Sequence, residues 1–421
     1  MPGRRCSPMW GCLPGDVHIR HSPASVEGKG KLAMRVILEK GTIFYQGKFQ
    51  QLGRLVLDHG KITEVTLASV KAKKPKVGGK EKDSDKPINC DGKFIMPGFI
   101  DAHTHITLEE EGIGWVDADL NESFGLVTPQ VRAFDALKMR DQALSDARSG
   151  GVTTMLVTPG SANPIGGQAC IIKARGKIAE EAAIRESCGM KLAFGENPKR
   201  TYAEQKQFPC TRMGTAAVIR EWLMKAQDYS KKKKSKDFKD RDIKLEALMP
   251  LLEGKIQARA HAHTADDIIT AYRIAQEFNL DLVIDHCTEG HLIAKELGRW
   301  KAKAVVGPTF SCRVKPELRH RTFDTVRVLL DEGCMVAITT DHPVIPIEGL
   351  SLAAALCVRH GLEEERAIKA ITEYPAAILG LDKRLGKIET GFDGDVVVWS
   401  GHPLDSRSKA ESVFIDGARV L

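Results

Sequence analysis

The sequence predicts an α/β protein, a (β/α)8 TIM barrel with a small β-sandwich domain built from both termini. Three observations predict it. Short apolar strands alternate with amphipathic helical stretches over roughly 270 residues of the middle, as in a parallel sheet whose helices return the chain. Both ends read as short strands and turns. Histidine or aspartate closes several of the apolar runs, and in such a barrel the chemistry sits at the C-terminal ends of the strands. A doubly wound open sheet is the alternative, but no glycine-rich phosphate loop follows the first strand.

Residues 1–33 form an expected flexible leader with Arg4, Arg5, Gly and Pro but no continuous apolar core, so no secretory signal is read there. Residues 34–95 supply the first part of the β-sandwich: the strands at Arg35–Leu38, Thr42–Phe44 and Arg54–Leu57 alternate with turn residues. The Lys- and Gly-rich stretch 71–87 reads as a mobile loop. Residues 96–383 make the barrel, with strands at Gly151–Val157, Met190–Phe194, Ile256–His263, Leu280–Ile284, Ala304–Val306 and Met335–Ile338. Helical periodicity appears between them at Asp266–Phe278 and Glu289–Leu297. Residues 384–421 return to β, at Gly394–Trp399 and Ser412–Gly417, and complete the sandwich.

Composition bounds the function. A chain of 421 residues, 42% hydrophobic and 28% charged, is ordinary for a globular protein. No apolar run reaches the ~20 residues of a membrane span. Ten cysteines lie scattered without zinc-ribbon spacing, which predicts a reducing cytoplasm; Cys287 and Cys312 are read as bystanders. The net charge of +7 is concentrated in residues 1–35, 71–87 and 231–244, so the rest of the chain is acidic. Solvated segments explain that better than a nucleic-acid footprint. The expected partner is a small-molecule substrate, with neither nucleic acid nor membrane.

The chemistry begins with the run Phe94 to His105, which ends His103-Thr104-His105. Strand side chains alternate faces, so His103 and His105 point the same way and suit one metal. His261, His286 and Asp341 each end a further apolar run. Imidazole and carboxylate suit Zn2+, and also Fe2+ or Mn2+. Asp341 can bind metal, accept the proton of an attacking water and pass it to a leaving group. His263 shares the face of His261 as a ligand, a substrate contact or a hydrogen-bonded wall residue. Asp101 is expected to support the ligating histidines, whereas His320 and His342 read as structural.

Met96-Pro97-Gly98-Phe99-Ile100-Asp101-Ala102-His103-Thr104-His105, Gly150-Gly151-Val152-Thr153-Thr154, Ile284-Asp285-His286 and Thr339-Thr340-Asp341 resemble the amidohydrolase superfamily, most closely its imidazolonepropionase-related branch of metal-dependent hydrolases. The segments Gly386–Gly391 and Gly394–Val398 are similar to that superfamily's closing β-segment, so the likeness spans about residues 34–421. The resemblance implies a barrel, a flanking β-sandwich, one or two metals per chain and a homo-oligomer. It implies hydrolysis of a C–N bond in a cyclic or N-acyl amide, with a dipeptidase, a heterocycle deaminase or a non-catalytic assembly protein as alternatives. Binuclear members carry a bridging carboxylated lysine or glutamate. Placement at a strand end favours Glu196 over Lys191, which falls near the start of its apolar run.

Substrate contacts are expected in two loops. Thr158–Gln168 is rich in turn formers and places Gln168 after the second strand. Beyond the strand at Ala304–Val306, Arg313 or Lys315 can clamp a substrate carboxylate.

Overall fold

The computed structural model describes residues 35–69, 86–110, 112–235 and 238–421. The leader 1–33 and nearly all of the 71–87 stretch lie outside these residues. Strands β1 (Val36–Glu39), β2 (Thr42–Tyr45), β3 (Lys48–Asp58), β4 (Lys61–Leu67), β5 (Ile88–Asn89) and β6 (Phe94–Pro97) follow the turns read from the sequence. Barrel strands β7 (Phe99–Thr104), β8 (Val152–Val157), β9 (Ile165–Lys173), β10 (Ala183–Ala193), β11 (Gln257–Ala262), β12 (Leu282–His286), β13 (Lys303–Val306) and β14 (Met335–Ile338) form one eight-stranded sheet in sequence order. The chain closes with β15 (Val396–Trp399), β16 (Ala410–Ile415) and β17 (Ala418–Arg419).

Both ends of the chain do share one sheet. Its order is β17-β16-β15-β6-β2-β3-β1-β5, with β4 on β3. Long β3 links its parts, since Lys48–Gln51 pair with β2 whereas Arg54–Leu57 pair with β1.

The barrel sheet departs from the expected all-parallel pattern at one strand. β9 runs antiparallel to both β8 and β10. Residues 158–164 and 174–182 are too short for the crossover of about a dozen residues that a parallel connection needs. The stretch read as the loop Thr158–Gln168 therefore ends inside β9. From β10 to β14 every pairing is parallel, as helices such as Ala265–Phe278 require.

The seam between β7 and β14 is joined by side chains. Asp101, fully buried, accepts hydrogen bonds from Thr339 Oγ1 (2.6 Å), Thr340 Oγ1 (2.6 Å) and the Thr340 amide (3.0 Å). Thr339 Oγ1 also lies 2.6 Å from the His103 carbonyl, so its one proton is shared between the two acceptors. Asp101 thus closes the barrel instead of holding an imidazole.

Gly151 shows why the Gly150-Gly151 pair is needed. Its φ is +73°, and a Cβ there would come within 2.5 Å of the Trp399 ring, where the barrel meets the terminal sheet.

A buried charge ties the same two sheets together. Lys173, at the end of β9, is 3% exposed and donates to Asp393 (2.8 Å), Asp395 (3.0 Å) and Asp416 (2.5 Å). Burial lifts the Asp395 carboxyl to about 6, with Lys173 opposing. Lys173→Met would leave Asp395 without its ion partner, while Asp393 keeps Lys61 and Arg384 and Asp416 keeps Arg175. Removing one partner of a buried pair costs about 3–5 kcal/mol. Urea unfolding should report a loss of that size. A loss below about 1 kcal/mol, the scale of an exposed pair, would contradict it.

The basic segment 231–244 is helical only at its two ends, and the described residues between Lys233 and Ile243 form neither helix nor strand, as a loop would. The helix Arg212–Lys233 runs into it and Ile243–Leu252 begins before it ends. Lys233 and Arg241 pair with Glu246 at 3.2 and 2.5 Å.

Candidate metal centre

The strand ends converge. The ligand atoms of His103, His105 and Asp341 lie within 4.8 Å of one another, and so do those of His261, His263 and His286. The triads adjoin: the His103 and His286 rings are 4.9 Å apart, and His286 Nδ1 is 3.8 Å from Asp341 Oδ2. Parallel register explains the second triad, because His261 sits beside Asp285 and Ala262 beside His286 across β11 and β12. Thr264, next after His263, caps the helix Ala265–Phe278 by accepting from the Asp267 amide.

Backbone strain accompanies these positions. His286 has φ of +73° and Asp341 of +54°, in the left-handed region. Such residues cost of order 1–3 kcal/mol and persist where the surroundings hold them.

The polar atoms are arranged for a cation. Asp341 Oδ1 lies 3.3 Å from His103 Nε2 and 3.4 Å from His105 Nε2, yet makes no hydrogen bond. Ligands about 2.0–2.1 Å from one tetrahedral ion stand about 3.3 Å apart. Both ring nitrogens of buried His261 also have no hydrogen-bond partner. Uncompensated burial of this kind is costly unless an ion completes the site. The residues present therefore fit a divalent metal.

Their protonation suits it too. Burial pushes His261 down to about 4, lowers His105, and drives His263 and His286 well below the usual imidazole range. Neutral imidazole is the ligating form. Burial alone would raise Asp341, but His286, His103 and His105 hold its carboxyl well below the usual range.

The same shifts predict acid sensitivity of the metal-stripped protein. His261 and buried His342 titrate near 4 in the fold, against about 6.5 when unfolded. The unfolded chain then binds more protons between those values. Stability is fully present above about pH 6.5 and falls toward pH 4, by up to about 1.4 kcal/mol per pH unit for each group. Urea midpoints measured in chelator from pH 7.5 to 4.5 should fall accordingly; a flat profile would contradict this burial of neutral rings.

Two sequence expectations about the centre change. Glu196 is not in it: its carboxylate faces Arg200 at 3.8 Å and lines a separate cleft with Lys199 and Arg212. Lys191 is. It is fully buried, with Nζ 3.3 Å from His103 Nε2 and 3.7 Å from Asp285 Oδ2. β10 begins at Ala183, seven residues before the run recognised in the sequence, so Lys191 lies two residues from the strand's end. Burial pulls its ammonium down to about 8, with Asp285 and Asp341 opposing.

Three further residues escaped the sequence reading. Asp285 Oδ2 lies 3.0 Å from His103 Nδ1, near enough for the supporting role expected of Asp101, although the two atoms are not aligned for a hydrogen bond. Fully buried Arg259 donates to Asp285 Oδ1 at 2.6 Å and to the Ala102 carbonyl at 2.7 Å. The period of two that selects His261 and His263 also selects Arg259, so a signal was there. Glu317 Oε1 stands 3.5 Å from His263 Nε2 and 3.9 Å from His261 Nε2. The sequence carries no comparable signal for it.

A cavity of about 580 Å3 opens onto both triads, bounded among others by Asn121, Ser161, Asn197, Lys315, Leu318 and Val344. His263 lines it with Nδ1 2.8 Å from Thr288 Oγ1. Gln168 and Arg313 do not line it. The Gln168 amide donates to the Pro129 carbonyl, and Arg313 is exposed and donates to the carbonyls of Arg319 and Arg321.

Comparison with known proteins agrees with this geometry. The family described as "Amidohydrolase family" matches residues 94–420. The amidohydrolase tasK of Hapsidospora irregularis is 30% identical over 398 residues, 87% of this chain and 39% of its own length. This chain thus spans about two fifths of that relative. An imidazolonepropionase of Psychromonas ingrahamii is 24% identical over 354 residues, covering 76% of this chain and 82% of its own. Among solved structures, an amidohydrolase from Thermotoga maritima MSB8 has a TM-score of 0.86 at 44% identity, covering 92% of this chain and 99% of that one.

Proposed function

Because this chain belongs to the amidohydrolase family, we propose that it is a metal-dependent hydrolase that cleaves a carbon–nitrogen bond in a cyclic amide or N-acyl amide. The observation that carries this reading is the pair of adjoining buried triads facing one cavity. His103, His105 and Asp341 would hold one ion, and His261 and His286 a second, with Zn2+ first and Fe2+ or Mn2+ as alternatives. Lys191 stands beside His103 and, in place of Glu196, would help hold the metal as a carbamate, formed when its neutral amine adds CO2 and releases a proton. A bound divalent ion supplies a water acidic enough to attack near neutral pH and polarises the substrate carbonyl.

The protein's own groups do the rest. Asp341, kept ionised by its histidine neighbours, accepts the proton of the attacking water and delivers it to the leaving nitrogen. Asp285, anchored by Arg259, keeps His103 oriented. His263 presents a neutral ring to the substrate, held by Thr288.

A dipeptidase is the second reading, favoured by the one Lys in the cavity wall; a heterocycle deaminase would use the same centre. The reading also includes a homo-oligomer in a reducing cytoplasm. Free thiols at all eight described cysteines support that compartment, and no helix among the described residues is long and apolar enough to cross a membrane.

Elemental analysis tests the centre. Protein purified without chelator should carry one or two equivalents of Zn, Fe or Mn, lost in His103→Ala/His105→Ala. No metal in either protein after reconstitution would overturn the hydrolase reading and bring forward a non-catalytic assembly role. Ammonia among the products would indicate the deaminase, and free amino acids the dipeptidase.

A further inference from the structure

Apart from histidines, Lys315 is the one basic side chain lining the cavity among the described residues. Its ammonium donates to Asn197 Oδ1 at 3.0 Å and to Glu317 Oε1 at 3.2 Å. A lysine has three N–H donors, so one is left for a ligand. Both partners are themselves anchored. Asn197 Nδ2 donates to Ser161 Oγ at 2.7 Å, and buried Glu317 accepts from the Glu196 amide at 3.1 Å. A normally flexible cation is thereby fixed in the wall before a ligand arrives, and its rotamer entropy is already lost. Its side chain keeps 21% of its exposure.

Position decides what it can meet. The Glu317 oxygen that holds Lys315 is also the one 3.5 Å from His263 Nε2. A single carboxylate group therefore separates the ammonium from the second triad. In an amide whose nitrogen carries an α-carboxylate, the acyl carbon and the carboxylate carbon are about 3–4 Å apart, three bonds along the chain. A carboxylate that close to the scissile bond can reach Lys315 while the acyl group faces the triads. Leu120, Leu318 and Val344 supply apolar wall for the side chain between them.

We infer that Lys315 docks an α-carboxylate on the nitrogen side of the scissile amide, so that the substrates are N-acyl amino acids or dipeptides with an apolar residue at that position. This rests on the hydrolase reading of the cavity, and the test separates the two. Titration calorimetry on the metal-loaded full chain would use 2-isobutyl-4-oxopentanoate, a non-hydrolysable analogue of N-acetyl-leucine, and its carboxamide. Wild type should bind the acid at least about tenfold more tightly than the carboxamide. Lys315→Met should bring that ratio close to one, and Lys315→Arg should retain part of it, both with metal content and circular dichroism like wild type. A preference that survives Lys315→Met, or a wild type that prefers neither compound or binds neither, overturns the assignment. Lys315-dependent binding of the acid without turnover of any N-acyl amino acid, dipeptide or cyclic amide would leave the carboxylate site standing and sink the hydrolase reading.

Discussion

Asp341→Asn protein is expected to keep its metal and to lose turnover by about 10³–10⁴-fold, or about 4–5.5 kcal/mol of barrier. The size follows from what the carboxylate does and what the amide cannot do. Asp341 is buried, ionised and in contact with His103, His105 and His286. It is the carboxylate within reach of both triads, and an amide in its place accepts no proton. Structure should survive the change. Asn has the same shape, tolerates the φ of +54° about as well as Asp, and leaves the bond from the residue's amide to Thr339 Oγ1 intact. An oxygen of the amide can still face the ion. Elemental analysis and kcat on the same preparation separate the two effects. Activity within tenfold of wild type, at full metal content, would remove Asp341 from its catalytic role.

Lys191→Met should have an effect of similar size by another route. The side chain is fully buried among His103, Asp285 and Asp341, where a lone ammonium would be costly and a carbamate between two ions would be matched in charge. Removing it should lower metal content to at most one equivalent and cut kcat by at least about 10³-fold. In Lys191→Ala, added acetate can restore a carboxylate to the vacated space and should recover part of both losses. Glu196→Gln is the control, since its carboxylate lies in a different cleft. If Glu196→Gln loses metal and Lys191→Met does not, the bridge belongs to Glu196 after all.

These two cases show where the sequence can be read and where it cannot. His103, His105, His261, His286 and Asp341 all ended recognisable apolar runs, so period-two alternation and the barrel rule brought them together correctly. Lys191 was misjudged because the first half of β10 is polar. Ala183–Ser187 carry Arg185 and Glu186, which hide a strand that pairs with β9 from Ala183 onward. Gln168 was misjudged for the converse reason: turn residues at 159–164 concealed the strand that starts at Ile165. Arg313 and Lys315 are alike in sequence, yet only the fold turns one into the cavity wall and the other toward carbonyls of its own loop.

By itself, then, the sequence determined the eight-stranded barrel type, the β character of both ends and the convergence of the strand-end histidines and aspartate, because side-chain alternation and strand–helix alternation are local and periodic. Only the tertiary structure decided the reversed β9, the closure of the seam by Asp101, the support of His103 by Asp285 and Arg259, and the place of Lys191 in the centre. Each of those depends on which distant residues meet across the barrel, at separations such as the 238 positions between Asp101 and Thr339, and no local period encodes that.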